Sequence, residues 1–104
     1  MAFPPTRKTM PAIGVITFEL RIDDAHSLKD KRHYVKSLKD RLRAKFNVAV
    51  AEIDHQDLWQ RGLVAAVTVA PDQAFAEQVL QSVEREAAGL LGPVLVSATV
   101  EWLA

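Results

Sequence analysis

The chain has 104 residues, of which 49% are hydrophobic and 25% charged, with no cysteine and a formal net charge of zero. This length and composition suit one domain with one packed core and exclude a disordered chain. The lack of cysteine excludes disulfides, thiolate metal sites and a cysteine nucleophile. No apolar run approaches the roughly 20 residues that a membrane-spanning helix needs, so we expect a cytoplasmic protein without a membrane partner.

The first segment, residues 1–11, contains three prolines and lacks the apolar core of a signal peptide. Because proline disfavours both helix and strand, this segment is predicted to be a flexible leader. A first strand follows from Ile13 to Asp23, where apolar and polar side chains alternate. We therefore expect a single folded domain at residues 12–104.

The segment from Ser27 to Phe46 is predicted to form the first helix, because apolar residues recur in it at helical spacing. Ser27 can cap its N terminus, and Asp30 lies in the first turn. The apolar stripe consists of Leu28, Val35, Leu38, Leu42 and Phe46. The segment also contains eight basic and two acidic residues, so it carries about +6 and the rest of the chain about −6.

Two further strands are predicted at Asn47–Asp54 and Leu63–Ala70, joined by the loop His55–Gly62. The second helix runs from a cap at Asp72 to about Leu91, and the last strand spans Val94–Leu103. The apolar stripe of the second helix is predicted to be Phe75, Val79, Val83 and Leu90.

The element order β-α-β-β-α-β contains two β-α-β units joined by a hairpin. Right-handed crossovers in both units predict an α+β fold, a ferredoxin-like sandwich with antiparallel sheet order 4-1-3-2 and two helices on one face. On the open face, alternation predicts small and polar side chains, among them Thr17, Glu19, Ala66 and Thr68. Such a face suits either burial in a homodimer or exposure to water.

A resemblance to a known family rests on five short pieces of sequence. These are ELRI (Glu19–Ile22), SLKDKR (Ser27–Arg32), SLKDRLR (Ser37–Arg43), KFNVAVAE (Lys45–Glu52) and HQDLWQR (His55–Arg61). Together they resemble the YlxP-like family of small bacterial proteins, a domain of unknown function. The resemblance implies a ferredoxin-like fold and a genomic setting near translation factors and ribosome-binding factor A. It implies no reaction, cofactor or catalytic residue.

Five basic residues recur at spacings of 3, 4, 3 and 4 along the first helix, and we call them the basic ladder: Lys29, Arg32, Lys36, Lys39 and Arg43. At about 100° per residue, the ladder lies clockwise of the apolar stripe, seen from the helix N terminus. A right-handed crossover places the second helix on the other side, so the ladder should face outward beside the edge strand. It is interpreted as a solvated helix face, a surface that follows RNA phosphates, or a surface for an acidic protein.

The hairpin loop HQDLWQR gathers several side chains that could bind or react. His55 and Asp57 could perform acid–base chemistry, but no cleft or nucleophile is evident, and no metal-ligand spacing occurs. We therefore expect no enzyme activity, no metal and no cofactor. Either Leu58 and Trp59 fold back on the core while Asp57 caps the turn, or the loop binds a partner. In the second case the partner-binding residues are His55, Asp57, Trp59 and Arg61.

Two function hypotheses follow. The first is a nucleic-acid-binding accessory factor that contacts ribosomal RNA or the ribosome through the basic ladder. The second is a non-catalytic interaction module that self-associates, as a homodimer, through the sheet face or an edge strand. Binding that weakens steeply with salt favours the first, and a concentration-dependent dimer favours the second.

Overall fold

A computed structural model of the protein describes residues 10–55 and 57–104, so most of the predicted leader lies outside the described residues. The elements in chain order are β1 (Ala12–Arg21), α1 (Leu28–Lys45), β2 (Ala49–Asp54), β3 (Arg61–Ala70), α2 (Gln73–Leu91) and β4 (Leu95–Trp102), with a short 3-10 turn at Gly92–Val94. Every predicted helix and strand is present, with ends displaced by no more than two residues.

The four strands form one antiparallel sheet in the order β2-β3-β1-β4, which confirms the predicted ferredoxin-like sandwich. Even-numbered residues of β1 face the helices, and Ile16, Phe18 and Leu20 are fully buried there. The core continues into both helices through Leu38, Leu42, Leu80 and Val83. In the described part of the chain, neither helix is long and apolar enough to cross a membrane.

Both helices begin at the predicted caps. Ser27 Oγ accepts a hydrogen bond from the Asp30 backbone N at 3.2 Å, and the Asp30 carboxylate accepts one from the His26 backbone N at 2.8 Å. Asp72 Oδ1 accepts a hydrogen bond from the Phe75 backbone N at 2.8 Å. These contacts satisfy backbone donors that have no partner within the helix.

The buried stripe of α2 differs from the predicted one. It consists of Ala76, Leu80, Val83, Ala87 and Leu91, whereas Phe75, which was predicted to be buried, is 56% exposed. The predicted stripe passed over the alanines and, apart from Val83, lay one residue before the buried positions. In the structure, Ala76 and Ala87 are fully buried and form part of the contact.

The open sheet face also differs from the predicted one. Ala66 and Thr68 of β3 face the helices and are buried, while Thr17 of β1 opposes Ala65 of β3. Because β3 is apolar at nearly every position, its sequence did not define which residues face the helices. The apolar centre of the open face is therefore a set of six residues, which we call the open-face patch: Ile13, Val15, Leu63, Ala65, Val67 and Val69.

A bulge changes the face of one residue in β4. Glu19 opposes Ser97 and Leu20 opposes Leu95, so Val96 has no partner in the register. Val96 is 54% exposed and lies beside Glu19 at a shallow depression on the open face. Strict alternation along β4 would place Val96 on the helix-facing side with Ala98, and the bulge reverses that alternation.

Candidate functional site

The flank of α1 that faces α2 is paired with a carboxylate. Lys45 Nζ donates to Glu86 Oε1 at 2.7 Å, and Arg41 Nη1 donates to Glu86 Oε2 at 3.0 Å. The hydrogen bond from Lys45, followed by that from Arg41, lowers the pKa of Glu86 below its ordinary value. A single carboxylate of α2 therefore pairs with both of these cations on this flank.

The basic ladder lies on the opposite flank, beside the edge strand β2. Arg43 Nη2 donates a hydrogen bond to the Val50 carbonyl oxygen of β2 at 2.8 Å, which confirms the predicted orientation. Lys36 Nζ lies 2.5 Å from Asp40 Oδ2. This hydrogen bond, assisted by the charges of Lys36, Arg43 and Lys39, lowers the pKa of Asp40.

Three cations of the basic ladder form no ion pair within the described ranges 10–55 and 57–104. Among the described residues, no carboxylate lies within 4.0 Å of the charged groups of Lys29, Arg32 or Lys39. Lys29 and Arg32 are exposed, and Lys39 is half-buried. The ladder therefore presents five cations and one paired carboxylate, Asp40, which leaves an excess of positive charge along the outer side of the molecule.

Lys31 belongs to the same helix but is buried on its apolar stripe, with only 1% of its surface exposed. Its Nζ lies 3.0 Å from Glu52 Oε2 and donates to the Arg61 carbonyl oxygen at 3.2 Å. It also donates to the His55 carbonyl oxygen. The two carbonyl oxygens accept hydrogen bonds from the ammonium group, and the carboxylate balances its charge, so Lys31 ties α1 to both ends of the β2–β3 loop.

Sequence analysis missed the role of Lys31. Its position one turn before Val35 places it in phase with the buried stripe, and Glu52 supplies a carboxylate on the neighbouring strand. A lysine in the phase of an apolar stripe, together with a glutamate on the strand that the helix covers, is the signal that could have revealed the pair.

The start of the loop has a defined backbone shape. His55 adopts φ +60°, in the left-handed region that non-glycine residues rarely occupy. Its backbone N donates to Asp54 Oδ1 at 2.8 Å, and its carbonyl oxygen accepts from the Leu58 backbone N at 3.1 Å. The same carbonyl oxygen also accepts a hydrogen bond from Lys31, so both the loop backbone and α1 stabilise this turn.

The loop side chains do not fold back on the core. Trp59 is 52% exposed and Leu58 is 43% exposed, so that interpretation is wrong. Gln60 anchors the loop instead, because its Nε2 donates to the carbonyl oxygens of Asp23 at 3.0 Å and Ala25 at 3.3 Å.

The predicted partner-binding residues are only partly brought together. Asp57, Trp59 and Arg61 border one open depression of about 420 Å³, while His55 packs beside Asp54 at the base of the loop. Arg61 Nη2 lies 2.7 Å from Glu19 Oε1, so its charge is already paired on the open sheet face. Gln56 lies outside the described residues.

No group of three or more histidine, cysteine, aspartate or glutamate side chains that could hold a metal ion occurs in the part of the chain that the structure describes. The described residues form a small ferredoxin-like protein. Its basic ladder and the described loop residues 57–61 lie at the surface. Residues 13–98 match the family model described as protein of unknown function (DUF503). The chain belongs to this family.

A relative of the same kind is the uncharacterized protein YlxP of Bacillus subtilis (strain 168). The two are 41% identical over 71 residues, which cover 68% of this chain and 77% of the relative. The resemblance to YlxP-like proteins is therefore confirmed.

Two solved structures are similar in fold. The de novo designed protein Foldit4 has a TM-score of 0.58 and 14% identity, covering 91% of this chain and 98% of the design. A C-terminal segment of the alpha subunit of aIF2 from Pyrococcus abyssi has a TM-score of 0.51 and 18% identity, covering 89% of this chain and 49% of that one. At these identities the likeness shows the fold alone.

Proposed function

We propose that this protein is a nucleic-acid-binding accessory factor whose basic ladder contacts the phosphate backbone of RNA, with ribosomal RNA as the expected partner. The observation that carries the proposal is the contrast between the two flanks of α1. Glu86 pairs with Arg41 and Lys45 on one flank, while the ladder flank keeps three cations without an ionic partner among the described residues.

The spacing of the ladder supports a phosphate backbone as its ligand. At about 1.5 Å per residue, Lys29 and Arg43 lie roughly 21 Å apart along the helix axis, enough to meet several phosphates. A regular row of cations suits a regular row of anions, whereas carboxylates on a protein surface are irregularly placed. Base stacking on the open sheet face is not supported, because its described residues include no aromatic side chain.

The test is a binding titration with a defined duplex RNA between about 50 and 200 mM salt. If each of the five ladder cations meets one phosphate, the logarithm of the binding constant should fall with the logarithm of salt concentration with a slope of about −4.5. The double variant Arg32→Gln/Lys39→Gln should bind more weakly at every salt concentration, and its slope should be smaller by about 2.

A matched control removes two cations from the other flank of the same helix. Arg41→Gln/Lys45→Gln has the same net charge as the ladder variant but should keep affinity and slope close to those of the unaltered protein. Equal losses for both variants would indicate attraction by overall charge alone. Undetectable binding by the unaltered protein at the lowest salt would exclude the proposal.

A second candidate function, a self-associating interaction module, is supported by a separate observation. The open-face patch is apolar at the centre of a sheet that neither α1 nor α2, the two α-helices of the described residues, covers on that side. Sedimentation velocity over a wide concentration range tests this candidate, and a mass that stays at 11.5 kDa throughout would exclude it.

A further inference from the structure

The open-face patch is unusual for a surface exposed to water. Val15 opposes Val67 and Ile13 opposes Val69 across β1 and β3, so apolar side chains contact each other across the two central strands. Val69 is 54% exposed. The edge strand extends the apolar area, because Ala49 opposes Val67 and Ala51 opposes Ala65.

The charges near one end of the patch are already paired within the chain. Arg61 lies 2.7 Å from Glu19, and Arg21 lies 3.1 Å from Asp23. A second molecule that approaches this face therefore meets pairs of opposite charge. Equal and opposite charges on one rim are compatible with a surface that contacts a copy of itself.

The size of the face is sufficient for a specific contact. Strands β1 and β3 each have 10 residues, which at roughly 3.3 Å per residue gives a length of about 33 Å. Four strands at about 4.8 Å spacing give a width of roughly 19 Å. The footprint is then about 600 Å² per molecule, and about 1,200 Å² in total lies at the lower limit of stable interfaces.

We propose that a second copy of this chain covers the open-face patch, with the two sheets packed face to face and the helices on the outside. This inference rests on the self-association proposed above and identifies the surface responsible for it. In a two-fold dimer the same patch serves both molecules, and sheets pack in this way about 10 Å apart. The basic ladders remain on the outer layers, where RNA can reach them.

One alternative surface for self-association, the β2 edge, is partly blocked. The Val50 carbonyl oxygen accepts a hydrogen bond from Arg43, so this edge cannot offer it to a strand from another chain. RNA is a poor occupant of the patch, because the described residues of the open face supply no aromatic for stacking and the rim cations Arg21 and Arg61 are paired.

The test compares self-association of the full chain with that of variants, by sedimentation velocity and light scattering. The unaltered protein should form a dimer of twice 11.5 kDa that dissociates on dilution. Val67→Asp and, separately, Val69→Asp should raise the dissociation constant by about tenfold or more, because each places a charge in the apolar contact. Phe75→Asp, at an exposed position on α2, is the control and should change it by less than about twofold.

Each outcome has a distinct meaning. A monomer at all concentrations would overturn both self-association and its assignment to the patch. A dimer that tolerates Val67→Asp and Val69→Asp but dissociates with Ile53→Pro, at a bulged position of β2, would overturn only the assignment. If Val67→Asp does not fold by circular dichroism, the exposed position of Val69 makes Val69→Asp decisive.

Discussion

The two edges of the sheet are stabilised by different kinds of contact, polar at β2 and apolar at β4. At the β2 edge, Lys31 and Arg43 reach from α1 to a carboxylate and to backbone carbonyl oxygens. At the β4 edge, the indole of Trp102 packs over Gly14 beside Leu80, so closely that a Cβ on Gly14 would lie 2.8 Å from Trp102 and 2.7 Å from Leu80. A polar contact requires a particular partner, whereas a packing contact requires a particular space. The first edge should therefore be sensitive to removing a group and the second to adding one.

Removing the buried ammonium should have the largest effect. Lys31→Met removes the cation that pairs with Glu52 and the donor to the carbonyl oxygens of His55 and Arg61, and we expect it to reduce the free energy of unfolding by about 3 kcal/mol. Urea denaturation measures this loss. Lys29→Met, at an exposed position of the same helix, should stay within about 0.5 kcal/mol of the unaltered protein.

Similar small losses for the two lysine variants would contradict this view of the β2 edge. A double-mutant cycle that combines Lys31→Met with Glu52→Gln measures the coupling between the two residues. Because Lys31 and Glu52 are in direct contact, the double variant should lose less than the sum of the two single losses. Additive losses would mean that the pair is not the source of the stability.

Adding one carbon at the β4 edge should have the next largest effect. Gly14→Ala forces its new Cβ against Leu80 and Trp102, and we expect a loss of about 2 kcal/mol from overpacking. Gly89→Ala is the matched control, because nothing lies within 4 Å of its Cβ and alanine favours a helix interior. That variant should be more stable by about 0.5–1 kcal/mol. Stabilisation by both substitutions would show that Trp102 moves away freely.

Removing the hydrogen bond between Arg43 and the β2 edge should have a smaller effect. Arg43→Gln loses the hydrogen bond to the Val50 carbonyl oxygen, and we expect a loss of about 1 kcal/mol in urea denaturation. Lys39→Gln, which removes the same charge without that bond, should be nearly neutral. Equal stability of the two variants would show that the hydrogen bond from Arg43 does not stabilise this edge.

The smallest expected effect is the pH dependence of stability that Glu86 contributes. The pKa of Glu86 is lowered by Lys45 and Arg41 in the folded protein, so its stabilising contribution is present above the ordinary carboxyl pKa of 4.5. The contribution is lost as the pH falls through the lower folded pKa. Glu86→Gln should therefore be less stable than the unaltered protein at neutral pH and approach it at strongly acid pH. A difference that does not change with pH would contradict this pairing.

The features that sequence patterns predicted were those with local causes. The caps at Ser27 and Asp72 depend on residues within three positions of each other. The strand order followed from the element order and crossover handedness, and the outward orientation of Arg43 followed from the same geometry with the helical angle per residue.

The features that the sequence did not predict have distant causes. Which residues of β3 face the helices depends on the register of β3 with β1, because β3 is apolar on both faces. The exposure of Val96 depends on a bulge opposite β1. Lys31 has partners about 20 to 30 residues away, and the periodicity of α1 indicates that Lys31 is buried without identifying those partners. The apolar character of the open face was missed for the first of these reasons.

The central position of β1 in the sheet has a consequence for protein synthesis. Ile16 opposes Ala66 on one side and Val100 on the other, so β1 gains its second neighbour only after β4 has been made. Until then the nascent chain presents an unpaired edge of a hydrophobic strand to other molecules. Closure of this long-range pairing should limit the folding rate.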